Sequence, residues 1–563
     1  MLVRLPSVPS PLPPLLPLPV TMRACGVWRR VFVAFVAGLA MLGSSAPLAA
    51  QSVPPAALPL PGSEAEAVMR LHQLLGQESA DGMMLRTVGN RIEALRSGRD
   101  TVVLFGAEGL YSYNSAHPWG FNDGPLRAGR GANFLVRAGF AARRARLTVV
   151  VIPQVIRESN TEFQTIPWPQ PNSPTRNVWA NPFYPLPTSL DMPQRFGDQP
   201  RNEVRLQGRV ALDVTRALRV GAGNENRWWG PGVRNGLLLS ANAGGFPHLF
   251  LEAPAPIETK IGNWEYQYLL GRLDESELFD FDDTNNGRSF SAAAVTWQAP
   301  ERFGEWPVIG VSRAVMSRTG PGLATALDFL RDVGRPWSRT ADSISGRDQI
   351  TTLFTRWRFP TQGAEAYAEW ARYEQPASVR EFMEQPGHMQ GYTVGAQWAR
   401  PWRTGTLQFQ SELSYLEPSA SVRYRPIGTT YTSPSVPQGW THDGQMIGPS
   451  IGPGASSQYL AADLWMPTWR AGLSLGRWRR DANYRFLNPL PPKREDLSLW
   501  ASFRGGMSLG VMDVLVEFTN GVRLNHLYQA YELNTPDGRT EGVDLLNRSL
   551  AVTLMPRMPR VVR

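Results

Sequence analysis

Apolar and polar side chains alternate with a period of two through most of the chain after residue 131, which predicts β-strands with one greasy and one polar face. In residues 203–214, Val204, Leu206, Val210, Leu212 and Val214 fall on one side, and Glu203, Arg205, Gln207, Arg209 and Asp213 on the other. Leu407, Phe409, Leu413 and Tyr415 alternate with Gln408, Gln410, Glu412 and Ser414, and Leu497, Leu499, Ala501 and Phe503 with Ser498, Trp500, Ser502 and Arg504. Segments 132–142, 145–155, 348–359 and 508–518 follow the same rule. A soluble β-sandwich also alternates. Here the charged faces recur over about 400 residues without a domain break, in segments of about ten residues rather than the usual five or six. An all-β transmembrane barrel meets both observations, because closure leaves no unpaired backbone in hydrocarbon. The pattern holds about sixteen to eighteen antiparallel strands. After residue 50, no apolar run reaches the roughly 18 residues a spanning helix needs.

Helical spacing is confined to short stretches. Ser63 and Glu66 form a capping box ahead of Val68, Leu71, Leu74 and Leu75, and Val88, Ile92 and Leu95 predict a second helix. Residues 63–97 thus read as a helical hairpin too thin to fold alone, either docked on the barrel or leading a soluble domain. Another short helix is predicted at Leu323–Leu330. Arg143-Arg144, Thr215-Arg216 and Trp402-Arg403 mark tight connections, whereas 157–202, 317–347 and 417–456 are long. Barrels of this class keep short turns in the periplasm and long loops outside the cell. The long loops carry Trp168, Trp179, Phe183, Tyr184, Tyr424, Tyr431 and Trp440.

The chain ends shape the domain plan. Met22-Arg23 to Arg29-Arg30, the apolar run Val31–Leu42 and the small-residue tail to Ala50 have the three regions of a secretory signal, with Met22 a second possible start. The expected organisation is a signal over 1–50, a linker and helical plug segment over 51–100, the barrel with its long loops over 101–556, and a tail over 557–563. Leu550, Val552 and Leu554 precede Pro556 and a basic tail, so the terminal aromatic common in outer-membrane barrels is missing.

Composition narrows the function. The sequence holds 19 Trp and 15 Tyr with only 19% charged residues, which suits interface girdles or sugar-stacking platforms. Removing residues 1–50 takes Arg4, Arg23, Arg29 and Arg30 and no acid, lowering the formal charge from +9 to +5. That is mild for the length and argues against a nucleic-acid binder, while leaving room for acidic glycans or lipid headgroups. The single cysteine, Cys25, lies in the signal, which excludes disulfides, thiolate catalysis and cysteine-bound metals in the mature chain. The six histidines show no metal-ligand spacing, and no nucleophile elbow, phosphate loop or dinucleotide fingerprint occurs. Glu365 and Glu369 share a strand face and could mimic a glycosidase pair, but lumen-facing acids do so routinely. No enzyme, metal or cofactor is expected.

Two blocks stand out from the strand pattern. The first runs Asn226-Arg227-Trp228-Trp229-Gly230-Pro231-Gly232, then Gly236 to Ala243, then Phe246-Pro247-His248. The second is Gly439-Trp440-Thr441-His442-Asp443-Gly444-Gln445-Met446-Ile447-Gly448, followed by Gly452-Pro453-Gly454. With the weaker Ala366-Tyr367-Ala368-Glu369-Trp370-Ala371, these resemble the capsule assembly Wzi family of outer-membrane barrels that hold capsular polysaccharide at the bacterial surface. The resemblance implies eighteen strands, a helical plug at the periplasmic mouth, and a lectin-like role in the outer membrane. The expected partners are a capsular or other surface polysaccharide and outer-membrane lipid, with the protein a monomer. Indoles stack on pyranose rings, and Asn and Arg match hydroxyls and carboxylates. The candidate glycan-binding residues are therefore Asn226, Arg227, Trp228, Trp229, Asn242, Trp440 and His442. The competing reading makes the tryptophans interface anchors, Asn242 a turn cap, and His442-Asp443-Gly444 a self-stabilised loop. The alternative functions are a diffusion or uptake porin and an outer-membrane hydrolase.

Overall fold

A strand between lipid and protein must turn apolar side chains outward while every backbone group bonds to a neighbouring strand. A computed structural model shows the chain doing this. It describes residues 57–558 apart from 79–83, 93–99, 167–175, 184–188, 334–345, 422–428, 483–493, 530–542 and the single positions 182, 301, 303, 375, 377 and 420. The predicted signal and most of the tail lie outside the described residues, as does Leu95.

Eighteen antiparallel strands close into one barrel. They are β1 (Thr101–Asn114), β2 (Gly131–Arg144), β3 (Leu147–Glu158), β4 (Arg201–Asp213), β5 (Arg219–Gly223), and β6 (His248–Glu252, resuming as Ile257–Thr259). β7 (Gly262–Asp274), β8 (Gly287–Gln298), β9 (Val308–Ser317), β10 (Arg347–Phe359), β11 (Ala364–Arg372) and β12 (Gln390–Trp402) continue the ring. β13 (Gly405–Tyr415), β14 (Ser456–Trp465), β15 (Trp469–Arg479), β16 (Leu497–Leu509), β17 (Met512–Leu524) and β18 (Leu545–Pro556) complete it. Closure is the pairing of β1 with β18, from Gly109 opposite Leu554 to Asn114 opposite Ser549. Among the described residues the α-helices are α1 (Glu64–Leu74), α2 (Val88–Arg91), α3 (Leu323–Val333) and α4 (Val379–Glu384).

The two faces differ as the alternation requires. Leu473 is 63% exposed and its neighbour Ser474 2%; Phe503 is 54% exposed and Ser502 2%. Aromatic pairs collect on the outer face near both rims. Trp264 with Trp297 and Trp398 with Phe409 lie toward the short turns, and Tyr392 with Tyr415 and Tyr111 with Phe134 toward the long loops. This is where amphipathic rings meet lipid headgroups.

Several expectations are corrected. The interior is not uniformly polar: Phe250, Leu269, Leu273, Phe290, Met316 and Phe354 point inward and join a buried core. β6 to β10 therefore carry apolar residues on both faces, because protein rather than water fills the bore beside them. The period-two reading after residue 131 misses β1, because a bulge between Phe105 and Glu108 flips its parity and no single alternation spans it. The segment 508–518 straddles a turn at Gly510-Val511 that separates β16 from β17. The turn after β2 falls at Ala145-Arg146, just past Arg143-Arg144.

The helical hairpin is likewise altered. Ser63 caps α1 by accepting the Glu66 N–H, while the Glu66 carboxylate returns to the Gly62 N–H at 2.7 Å, one residue before the cap. Val68, Leu71 and Leu74 are all buried, packed with Ala399 and Trp465 at the short-turn end. The second helix is only one turn long, and a short strand, Leu85–Arg86, precedes it. α3 lies on the outer wall, where Phe329 packs on Tyr268.

Candidate functional site in the lumen

Past Asn224, at the end of β5, the chain turns into the bore and rejoins the wall only at His248. Arg227 is the first motif residue it buries. Its guanidinium stands 3.0 Å from Glu252 and 3.1 Å from Glu225, and it donates to Gln267 at 3.1 Å. Arg209 pairs with the same two carboxylates, and the Phe250 ring lies against both guanidinium groups. Two cations against two carboxylates can be buried where either alone could not.

Trp228 and Trp229 pair in antiparallel register with Arg86 and Leu85, zipping the inserted loop to the N-terminal segment. Trp229 Nε1 donates to Gln267 Oε1 at 2.8 Å. Arg86 lies over the Trp228 ring at 4.2 Å and donates to the Gly232 carbonyl at 2.5 Å and to Glu66 at 3.0 Å.

The Gly-Pro-Gly turn that follows is gripped by two wall carboxylates. Glu369 of β11 accepts the N–H groups of Gly232 at 2.7 Å and Leu237 at 2.9 Å. Glu412 of β13 accepts those of Val233 at 2.7 Å, Arg234 at 3.2 Å and Asn235 at 2.9 Å, and also the Tyr367 hydroxyl at 2.9 Å. Successive amides around one carboxylate make an anion nest, with the anion supplied by the protein. Gly230 has φ +101°, and a Cβ there would fall 2.3 Å from Glu369 Oε1. No other residue type fits.

The second block folds onto the first, although some 200 residues separate them in the chain. Ser240 donates to the Gly448 carbonyl at 2.5 Å, Asn242 donates to the Met446 carbonyl at 2.9 Å, and Tyr431 donates to the Leu237 carbonyl at 2.7 Å. Thr441-His442 pairs with Gln445-Met446 across a turn in which Asp443 and Gly444 both have positive φ, the Asp-Gly signature of a type I′ hairpin. Trp440 Nε1 donates to Asp348 at 2.7 Å. His442 Nδ1 accepts the Asp274 N–H at 3.0 Å, and burial pushes the ring below the usual imidazole range, so it is neutral with its proton on Nε2. Burial opposes charge on Asp443 as well, but the guanidinium groups of Arg205 and Arg127 outweigh it and hold that carboxyl well below the usual range.

All seven candidate residues thus meet in one lumenal body. A stacked pyranose needs an open ring face, and Trp228, Trp229 and Trp440 are each 1% exposed or less. Arg227 and His442 are also buried. Asn226 and Asn242 are half-buried with their amides engaged, Asn226 accepting from Gln207 and donating to the Ala243 carbonyl. Glu365, bonded by Arg70 and Arg356, and Glu369, holding its two amides, are structural anchors.

A second aromatic group lies where the sequence drew no attention. Trp119 and Phe121, from the loop after β1, meet Trp478 and Trp500 on the inner wall at the long-loop end, with ring centroids 5.0 to 6.5 Å apart. Trp119, Phe121 and Trp478 are only half-buried. A shallow cleft opens beside Trp119, lined by His117, Ser498, Thr519 and Asn547. The available signal was Trp119-Gly120-Phe121, an aromatic pair two residues apart outside any strand.

The family model for capsule assembly protein Wzi matches residues 122–512, which contain both blocks. The chain belongs to the capsule assembly Wzi family. A solved structure of Escherichia coli Wzi has a TM-score of 0.51 at 11% identity, covering 90% of this chain and 96% of that one. That protein is described as an outer-membrane protein involved in group 1 capsule assembly and as a carbohydrate-binding β-barrel. Pseudomonas aeruginosa OccK7 has a TM-score of 0.36 at 10% identity, covering 80% of this chain and 98% of its own. Acinetobacter baumannii OccAB2 has a TM-score of 0.39 at 8% identity, covering 80% and 97%. No curated protein matches in sequence. This Wzi-family chain is an outer-membrane protein, and its 18-strand ring is the fold of that family.

Proposed function

We propose that this Wzi-family barrel binds exported polysaccharide and retains it on the cell surface without chemically altering it. The observation that carries the reading is the filled bore. An 18-strand ring is wide enough to conduct, yet here two inserted blocks and α1 occupy the lumen, leaving the rim as the working surface. Family membership and the carbohydrate binding described for E. coli Wzi support the same reading. The long loops face outward and the short turns the periplasm, where α1 closes the mouth, and the protein acts as a monomer in outer-membrane lipid. In this reading Trp228, Trp229, Arg227, Trp440 and His442, with Asn226 and Asn242, serve as the rigid floor beneath the glycan surface.

Deleting the gene should move polymer from cells to medium at unchanged total yield. A fall in total polymer would contradict retention.

A further inference from the structure

Arg234 sits one residue beyond the Val233 amide that Glu412 holds, so its backbone is fixed. Its side chain is half-buried at the long-loop end, between the Phe121 ring at 4.7 Å and the Tyr459 ring at 4.1 Å. The guanidinium makes no hydrogen bond and no ion pair among the described residues. The other rim arginine in the cluster, Arg480, lies over Trp478 at 3.7 Å but is satisfied, donating to Ser498 at 2.6 Å with Asp496 3.5 Å away. A guanidinium placed against two rings, with no hydrogen-bond partner of its own, has donors to offer, and their planar fork matches a carboxylate with two parallel bonds. Trp119, half-buried alongside, offers the apolar face a pyranose stacks on, and Trp478, with Arg480 over one side of its ring, borders it. Asp123 and Arg137 on the adjacent loop and wall complete the local charge, with Glu517 beyond them.

We propose that Arg234, with Phe121, Tyr459, Trp119 and Trp478, forms a subsite for an acidic sugar, with the guanidinium taking a uronate carboxylate and the indoles the ring. This rests on the reading of the protein as a polysaccharide binder and adds where it binds and what charge it selects.

The test uses the full mature protein in detergent and two probes with the same ring and linkage, a β-1,4-linked glucuronic acid hexasaccharide and cellohexaose. The acidic probe should bind tighter by roughly tenfold or more, about the worth of one charge-assisted pair. Arg234→Met should erase that preference, and Arg234→Lys, which keeps the charge but not the fork, should retain part of it. Trp119→Ala should weaken both probes. Thermal unfolding of each variant reports whether it is folded. Equal binding of the two probes by the wild type, or an unchanged preference in folded Arg234→Met, would overturn the subsite while leaving polysaccharide binding intact. Binding of neither probe would overturn both.

Discussion

Glu412 on the barrel wall and Asn235 in the inserted loop lie 177 residues apart in the chain and 2.9 Å apart in space, carboxylate oxygen to backbone N–H. Together with Val233 and Arg234, this makes one side chain the acceptor for three consecutive amides. Orphaning a buried amide costs about 1–3 kcal/mol. Glu412→Ala should therefore lower unfolding free energy by about 3 kcal/mol or more, measured by urea titration with tryptophan fluorescence in micelles. An unchanged midpoint would show that the nest is not holding the loop.

The same contacts hold the inserted loop against the wall inside the bore. In planar bilayers the wild type should be nearly silent, while Glu369→Ala combined with Glu412→Ala should show discrete conductance steps as the loop loosens. Steady porin-like current through the wild type would refute the filled lumen.

Trp228 and Trp229 should matter through packing. Replacing either with Ala should cost about 3–5 kcal/mol, the usual range for a buried indole. Trp228→Phe should cost less and leave polysaccharide retention intact once the protein is folded. A folded Trp228→Phe protein that releases its polymer would instead point to direct contact with the ring.

Rim binding should depend on pH through Asp123. Burial pushes its carboxyl up to about 7, against the pull of Arg137 and Arg234. Its folded value lies above the unfolded one, near 3.9. The stability it contributes is thus full below about pH 4 and is lost as pH rises toward 7. Over the same upper range the ionised carboxylate competes for Arg234, so an acidic oligosaccharide should bind more tightly at pH 6 than at pH 8. Asp123→Asn should flatten the profile. His117 and His526 nearby do not interfere, because burial and neighbouring arginines hold both well below neutrality, His526 at about 3. A pH dependence that survives in Asp123→Asn would assign it elsewhere.

Alternation revealed the strands wherever one face meets lipid and the other meets polar groups, as in β4, β13 and β16. It failed in β6 to β10, where Phe250, Leu269, Phe290 and Phe354 turn inward into the buried core that also holds Leu237–Leu239, and the pattern becomes apolar on both sides. It failed again at the β1 bulge, where one irregularity inverts the parity. The two blocks were legible as unusual because Gly230, Gly232 and the Asp443-Gly444 turn leave marks that sequence alone displays. Their burial was not, since an indole that stacks on sugar and one that fills a lumen look alike until its neighbours are known. Arg234 escaped notice for the converse reason: that its guanidinium has neither a hydrogen bond nor an ion pair among the described residues is a fact of three dimensions.

α1 is tied at two points along its length to strands that are not neighbours in the ring. Arg70 pairs with Glu365 on β11, and Glu64 takes a two-pronged bond from Arg470 on β15. The helix is therefore a strut across a chord of the mouth. A cross-member that joins distant strands opposes flattening of the ring, and the surface at the opposite rim rests on the stiffer frame that results.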